Sequence, residues 1–494
     1  MGEAALAFKA AWEGQLERDG LCAYSSNRIG ARFRNGHDWA GYCGHRSACF
    51  LPSARGRVAK VKTLVSKKVV ASQSENPKQS RLLRALGPGL ITGAADDDPS
   101  GIATYSQAGA QFGFAITWTL LFTYPLMAAI QEISARIGRT TGKGIAANLR
   151  QHYPNWILQS IVLLLIAANT INIGADLGAM GGAVSLLIGG PKFLYVVGFG
   201  VLCAALQVYI PYSRYVSVLK WLTFALFAYF GTVMVIKVPW VEAARGFFIP
   251  TLSTKAEFWT VVVAIFGTTI SPYLFFWQAS QEVEEVNDTP ARKPLVQAPK
   301  QGSDAINRIK TDTYIGMAFS NLVALAIMFT TAATLHAAGT TDIQTSSQAA
   351  EALKPIAGPL AFAIFTLGIV GTGLLAVPVL AGSAAYALCE SRKWPTGLAR
   401  KPLKARAFYA TIVIATLSGV VITVSPLDPI KALFWSAVIN GVVSVPVMAM
   451  MMLITSNKRI MGKFVVTGGL KYVGWVATAV MAAAAAGMAI TAQF

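Results

Sequence analysis

From about Leu82 onward the chain alternates long apolar runs with short polar and basic segments. A window of roughly 19 residues, the length that crosses a hydrocarbon core as a helix, picks out eleven candidate spans. They centre near Ala95, Tyr124, Asn172, Phe199, Leu226, Ser271, Val323, Gly371, Val413, Val442 and Met481. Two of the eleven are interrupted. In the first, Ala94-Ala-Asp-Asp-Asp-Pro-Ser-Gly-Ile-Ala-Thr104 sets three carboxylates and a helix-breaking Pro-Ser-Gly inside the apolar segment 87–111. In the sixth, Thr268-Thr-Ile-Ser-Pro-Tyr-Leu274 interrupts the apolar run 258–279, and four unbroken spans lie between the two. Lipid holds no water to satisfy an opened backbone or an ionised acid. Such breaks are therefore stable only where they line a cavity and the acid meets a cation. Broken helices five spans apart mark corresponding members of two structural repeats, with a binding site near the midplane between them.

Composition agrees with a chain embedded in membrane: 54% of residues are hydrophobic, 13% are charged, and the mean hydropathy is +0.51. With the N-terminus inside, 36 of the 42 Lys and Arg residues fall in the N-terminal arm and in alternate loops on the same side. That asymmetry predicts a multi-pass cell-membrane protein with a cytoplasmic N-terminus and an outside C-terminus. It also accounts for the net charge of +19, because a nucleic-acid binder would instead cluster its basic residues on a face with aromatics. Residues 1–81 differ from the rest and are expected to be a disordered cytoplasmic arm ahead of a transporter-like domain over 82–494. His37, Cys43, His45 and Cys49 in that arm match no zinc spacing, and it lacks the apolar core of a secretory signal. Cys203 and Cys389 sit singly in or at the end of apolar runs, as small core side chains do. No nucleophile with a base and no His-rich ligand set is present, so an enzyme is not indicated.

Gly87-Pro-Gly-Leu-Ile, the Asp98-Pro-Ser-Gly101 break with Ile-Ala-Thr-Tyr-Ser-Gln-Ala-Gly-Ala110 after it, and Ser134-Ala-Arg-Ile-Gly-Arg-Thr-Thr-Gly142 resemble the first two spans of the natural resistance-associated macrophage protein (NRAMP) family. The resemblance runs from about Leu82 to Phe494. It implies an all-α integral-membrane, LeuT-like fold of two inverted five-helix repeats with broken first and sixth helices, plus an eleventh helix. It also implies uptake of divalent manganese and iron with protons. Residue by residue, the family pattern keeps the ion-binding aspartate as Asp98 and puts Gly101 in place of an asparagine ligand. Thr268 falls where a backbone carbonyl coordinates, Ser271 where a methionine does, Tyr273 where a histidine stands, and Gln278 where a second histidine stands. This substitution pattern, with the following Gln281-Glu-Val-Glu-Glu285, is most similar to the NRAMP-related magnesium transporters.

Donor chemistry gives a separate reason. A thioether favours manganese, iron and cadmium over hard ions, and Ser271 offers only a hydroxyl. Magnesium requires octahedral oxygen and dehydrates reluctantly. The site therefore suits a partly hydrated hard cation, Mg2+ and also Mn2+, carried as substrate rather than held as a cofactor. Asp97 is a further candidate ligand and Asp96 a contributor of negative potential, although neighbours on a helix are turned by roughly 100° and cannot all face one point. Asp176 matches a third-span aspartate that the resemblance places on a proton route. Asn440 in the tenth span is a candidate amide near the ion. Glu282, with Glu284 and Glu285, either lies solvated at a helix end or forms an acidic inner funnel. Glu132 either pairs with Arg136 one turn on or acts in permeation.

The proton-relay positions of the family are Ala179, Tyr273 and Gln278 here, and the four histidines, His37, His45, His152 and His336, lie away from both breaks. Uncoupled uptake by alternating access is expected, with half-helices hinging at Pro99-Ser-Gly101 and Ser271-Pro272. The competing expectations are a proton-coupled Mn2+/Fe2+ importer and a sodium-coupled solute symporter. Three acids at the first break would repel an anionic solute and so disfavour the last. The expected partners are the metal ions and the lipid bilayer, with the protein a monomer.

Overall fold

The computed structural model describes residues 92, 93, 95–210, 226–423 and 428–492. The arm over 1–81, with its histidines and cysteines, lies outside the described residues. Within them the fold is all-helical. The principal helices are α1 (Pro99–Phe112), α2 (Trp118–Thr141), α3 (Asn155–Ile188), α4 (Lys192–Tyr209), α5 (Phe227–Val235) and α6 (Ala256–Thr269). They continue with α7 (Pro272–Asp288), α8 (Gly302–Thr331), α9 (Ala361–Arg392), α10 (Arg406–Ile422), α11 (Pro429–Ser456) and α12 (Gly468–Thr491).

Among the described residues, seven helical stretches are long and apolar enough to cross a membrane, with α6 and α7 together forming one of them. The other four candidate spans do not qualify singly: α2, at 24 residues, is long enough but counts only together with Pro99–Ile116, and the rest fall short for local reasons. The first is cut at its break, and Pro99–Ile116 folds against Trp118–Thr141 at 111°. The ninth, α10, has 17 residues. The fifth is described only from Leu226, because 211–225 are outside the described residues. Large side chains such as Leu163, Ile188, Leu194, Ile414 and Val421 are exposed around these helices, the surface a bilayer would cover.

Both interruptions fall where the sequence places them. Asp98 is extended (φ −72°, ψ 170°), and α1 starts with Pro99 at its first position, where the missing N–H costs nothing and the ring presets φ. Before it, the described residues 92, 93, 95 and 96 are helical, so helical backbone stands on both sides of the extended Asp98. In the sixth span α6 stops at Ile270 (φ −119°, ψ 58°). Ser271 is extended and α7 begins at Pro272.

These breaks are enclosed by tight helix crossings. α1 packs on α6, α8 and α11, α3 packs on α9, α10 and α11, and α2 packs on α7. The α6–α11 crossing requires glycine on both sides. A Cβ on Gly267 would fall on the Ala437 carbonyl and 2.5 Å from the Gly441 nitrogen, and one on Gly441 would lie 2.7 Å from the Val263 carbonyl. Small residues let the backbones meet this closely, and the C-terminal end of α6 is thereby held against α11.

Candidate metal centre

Asp98 is the hub of the first break. Its Oδ1 caps α1, accepting from Gly101 N at 2.8 Å and from Ser100 Oγ at 2.6 Å, as an N-cap aspartate does. Its Oδ2 turns to other helices, accepting from Asn172 Nδ2 of α3 at 3.2 Å and from the Tyr273 hydroxyl of α7 at 3.3 Å. Tyr273 lies as close to a second acceptor, the Ala95 carbonyl, at 3.2 Å. Asn172 Oδ1 in turn accepts from Ser436 Oγ of α11 at 2.7 Å. One carboxylate therefore joins the two broken spans to the third and tenth.

Gly101 and Thr268 face one another across the break. The point where a Cβ on Gly101 would sit is 3.2 Å from Thr268 Oγ1 and 3.3 Å from the Tyr105 ring. A larger residue at 101 must therefore push this contact apart by a few tenths of an ångström. Ser271 Oγ donates to the Gly267 and Thr268 carbonyls, at 2.7 and 2.9 Å, with its lone pairs left to accept or coordinate. Among the described residues, the hydrogen-bonding groups assembled here are carboxylate, hydroxyl, amide and carbonyl, without sulfur.

The three aspartates divide between two sides. Ser320 Oγ of α8 lies 2.5 Å from Asp96 Oδ2 and 3.0 Å from Asp97 Oδ1, so these two acids share one hydroxyl on the α8 side. Asp97, expected as a possible direct ligand, is thus turned to α8 and does not join the hydrogen bonds around Asp98. The hydroxyl of Ser320 is what holds it there, while Asp98, extended at the break, caps α1. All three acids are buried, and none of them enters an ion pair among the described residues. A buried carboxylate without a positive partner is costly, and among the described residues no group of three or more acids, histidines or cysteines converges on one point.

The remaining predicted residues surround this centre at greater remove. Gln278 Oε1 accepts from Thr92 Oγ1 of the first half-helix. Asn440 is buried one turn along α11 from Ser436, with neither amide atom hydrogen-bonded. Asp176 is buried one turn beyond Asn172, and neither carboxylate oxygen has a partner. Glu282 is not part of an open acidic funnel: it is buried and ion-paired with Arg308 at 2.6 Å, which also holds Glu285 at 2.8 Å. Glu284 is likewise occupied, accepting from the Tyr386 hydroxyl and from Leu398 N at 2.7 Å. Glu132 makes the local pair with Arg136.

Asn172 and Ser320 contact the acids directly, Ser436 reaches Asp98 only through Asn172, and none of the three was anticipated from sequence. A signal existed: Asn169, Asn172 and Asp176 recur at three- and four-residue spacing in an otherwise apolar helix, which puts them on one face. Polar groups on one face of a span point into the protein.

Two interrupted helices with buried acids at the first break, inside a helical membrane fold, are the pattern of solute carriers of the broken-helix type. Comparison with known proteins narrows this. Residues 89–491 match the family described as natural resistance-associated macrophage protein-like, and the chain belongs to that family. It is similar to the divalent metal cation transporter MntH of Klebsiella pneumoniae strain 342, with 27% identity over 430 residues, 85% of this chain and 96% of that protein. A second Klebsiella pneumoniae MntH is 26% identical over the same shares. In fold it is similar to a single-residue variant of the Eremococcus coleocola manganese transporter, with a TM-score of 0.66, 18% identity, and 84% of this chain and 88% of that chain covered.

Proposed function

We propose that this protein takes up divalent cations, Mg2+ foremost and Mn2+ as well, by uncoupled alternating access about the two breaks. The observation that carries the proposal is Asp98: a buried carboxylate at a helix break, surrounded by oxygen and amide groups from α1, α3 and α7, with no cationic side chain paired to it among the described residues. The similarity to MntH transporters supports a divalent substrate. The all-oxygen donor set with Ser271 in the sixth span favours the hard, water-retaining ion over softer ones.

The residues at the proton-relay positions support the uncoupled reading. The two histidines among the described residues sit at helix ends, His152 beside the Asn148 carbonyl and His336 beside the Ala110 carbonyl. Ala179 offers no titratable group one turn from Asp176. The membrane potential then supplies the driving force, about 2.3 kcal/mol per charge per 100 mV and about twice that for a divalent ion. On the outer side under the orientation given by the basic residues, a cavity of about 460 Å³ is bounded by Gln107, Glu257, Asp342, Lys431 and Trp435. It lies along α1 from the break and suits the role of a vestibule.

The test is a flux assay in proteoliposomes with Mg2+, Mn2+ or Ca2+ outside, an inside-negative potential, and luminal cation and pH recorded together. Uptake of Mg2+ and Mn2+ without luminal acidification is expected. Uptake of Mn2+ alone, or uptake accompanied by proton entry, would return the chain to the proton-coupled reading.

A further inference from the structure

The donor set around Asp98 contains an amide in an orientation unsuited to a cation but free to reverse. Asn172 presents Nδ2 to Asp98 Oδ2 at 3.2 Å, and N–H groups are donors that a cation would be repelled by. On its other side, Oδ1 accepts from Ser436 Oγ at 2.7 Å. Ser436 Oγ lies at the same distance, 2.7 Å, from the Leu433 carbonyl of its own helix. Its single proton thus has two acceptors within reach. If the amide turns by half a rotation about its last torsion, Nδ2 donates to Ser436 Oγ, whose proton passes to Leu433. Oδ1 then stands beside Asp98 Oδ2. The turn forfeits one hydrogen bond, the one to Asp98, at the place where a cation would bind the carboxylate instead. Tyr273 has the matching freedom, because the Ala95 carbonyl can take its proton and leave its oxygen facing the carboxylate.

We propose that the Asn172 carbonyl is a ligand of the transported cation, supplying from the third span the amide oxygen that Gly101 lacks in the first, and that Ser436 is the hydroxyl that allows the amide to turn. The inference rests on the reading that the cation binds at Asp98. Its consequence for selectivity is direct. A neutral oxygen replaces bulk and softness at the breaks with a hard donor delivered from a long helix on the opposite side of the site, the kind of ligand Mg2+ accepts. It also makes ion binding a bond between α1, α3 and α11, so the cation itself would fasten the broken span to its neighbours.

The experiment measures initial Mg2+ and Mn2+ uptake against concentration in proteoliposomes for the full chain and for Asn172→Leu, Asn172→Asp, Ser436→Ala and the double variant Asn172→Asp/Ser436→Ala. Asn172→Leu keeps the shape and removes the oxygen, and should raise KM tenfold or more for Mg2+ with a smaller change in maximal rate. Ser436→Ala alone should raise KM severalfold. Asn172→Asp offers oxygen in either orientation, so its KM should stay at or below that of the parent, and Ser436→Ala should then have no further effect on KM. That non-additivity is the signature a merely structural role would not give. The proposal is overturned if Asn172→Leu lowers the maximal rate with KM within twofold, or if Ser436→Ala acts equally in both backgrounds. Should Asn172→Leu fail to elute as a monodisperse species, the Asp and Ser436 variants decide alone. Failure of the underlying cation-site reading shows separately, as parent-like uptake by Asp98→Asn.

Discussion

Asp98→Asn separates the two tasks that one side chain performs. Asparagine caps a helix about as well as aspartate, so the bonds from Gly101 N and Ser100 Oγ, at 2.8 and 2.6 Å, can persist on the retained carbonyl oxygen. The new amide nitrogen would meet the Asn172 amide and the Tyr273 hydroxyl, and both have somewhere else to turn, Asn172 by reversing and Tyr273 toward the Ala95 carbonyl. Folding stability should therefore fall by less than about 1 kcal/mol, the size of one cap, and removal of an unpaired buried carboxylate would act to raise it. The cation, by contrast, loses its only formal counter-charge on this network. Interactions with a charged partner are worth about 1.5–3 kcal/mol even when discounted for solvent exchange, so about 2–3 kcal/mol is a conservative loss. That corresponds to roughly 30- to 140-fold in kcat/KM. The assay is initial Mg2+ uptake into proteoliposomes, paired with a thermal melt in detergent. Asp98→Ala should lose the same flux and in addition about 1 kcal/mol of stability with the cap. Uptake by Asp98→Asn within threefold of the parent would refute the anchoring role, and an unfolded Asp98→Asn would refute the division between cap and ligand.

Ser271→Met should shift preference toward Mn2+ and Cd2+ because it installs a soft donor. It also gives up the Ser271 bonds to the Gly267 and Thr268 carbonyls, at about 1 kcal/mol; an unchanged ion series would remove the sixth-span break from the site. Under an inside-negative potential, luminal pH should stay constant while Mg2+ enters, and an added inward proton gradient should leave the rate unaltered; ion-dependent acidification abolished by Asp176→Asn would identify Asp176 as a proton carrier. Gly267→Ala should lower the melting temperature, by about 1–3 kcal/mol of overpacking, since its Cβ falls on the Ala437 carbonyl; a melt equal to the parent would mean that α6 and α11 can separate at no cost.

What could be foreseen from the chain and what could not divides along a physical line. The breaks at Asp98 and Ser271 are written in adjacent residues, a proline after an extended residue inside an apolar run, and the structure has them at those positions. Breaks depend on neighbours in sequence and were legible for that reason. Partners across helices depend on crossing angles, and these were not. Asp96 and Asp97 were known to diverge from Asp98 by helical rotation, yet which acid turns where is decided by Ser320, more than two hundred residues away. Glu282 read equally well as a solvated acid or a funnel, and it is Arg308 on the next helix that makes it a buried pair. Asn172 went unrecognised because amides on one face of an apolar helix, Asn169 with Asn172, state only that they have partners. Lipid makes that statement reliable, since an unmet polar group there is expensive. Naming the partner needed the packing of α3 against α11 and of α1 beside them. The same packing makes the site intelligible: the acid comes from a local break, whereas the groups that orient it come from helices that only the fold brings near.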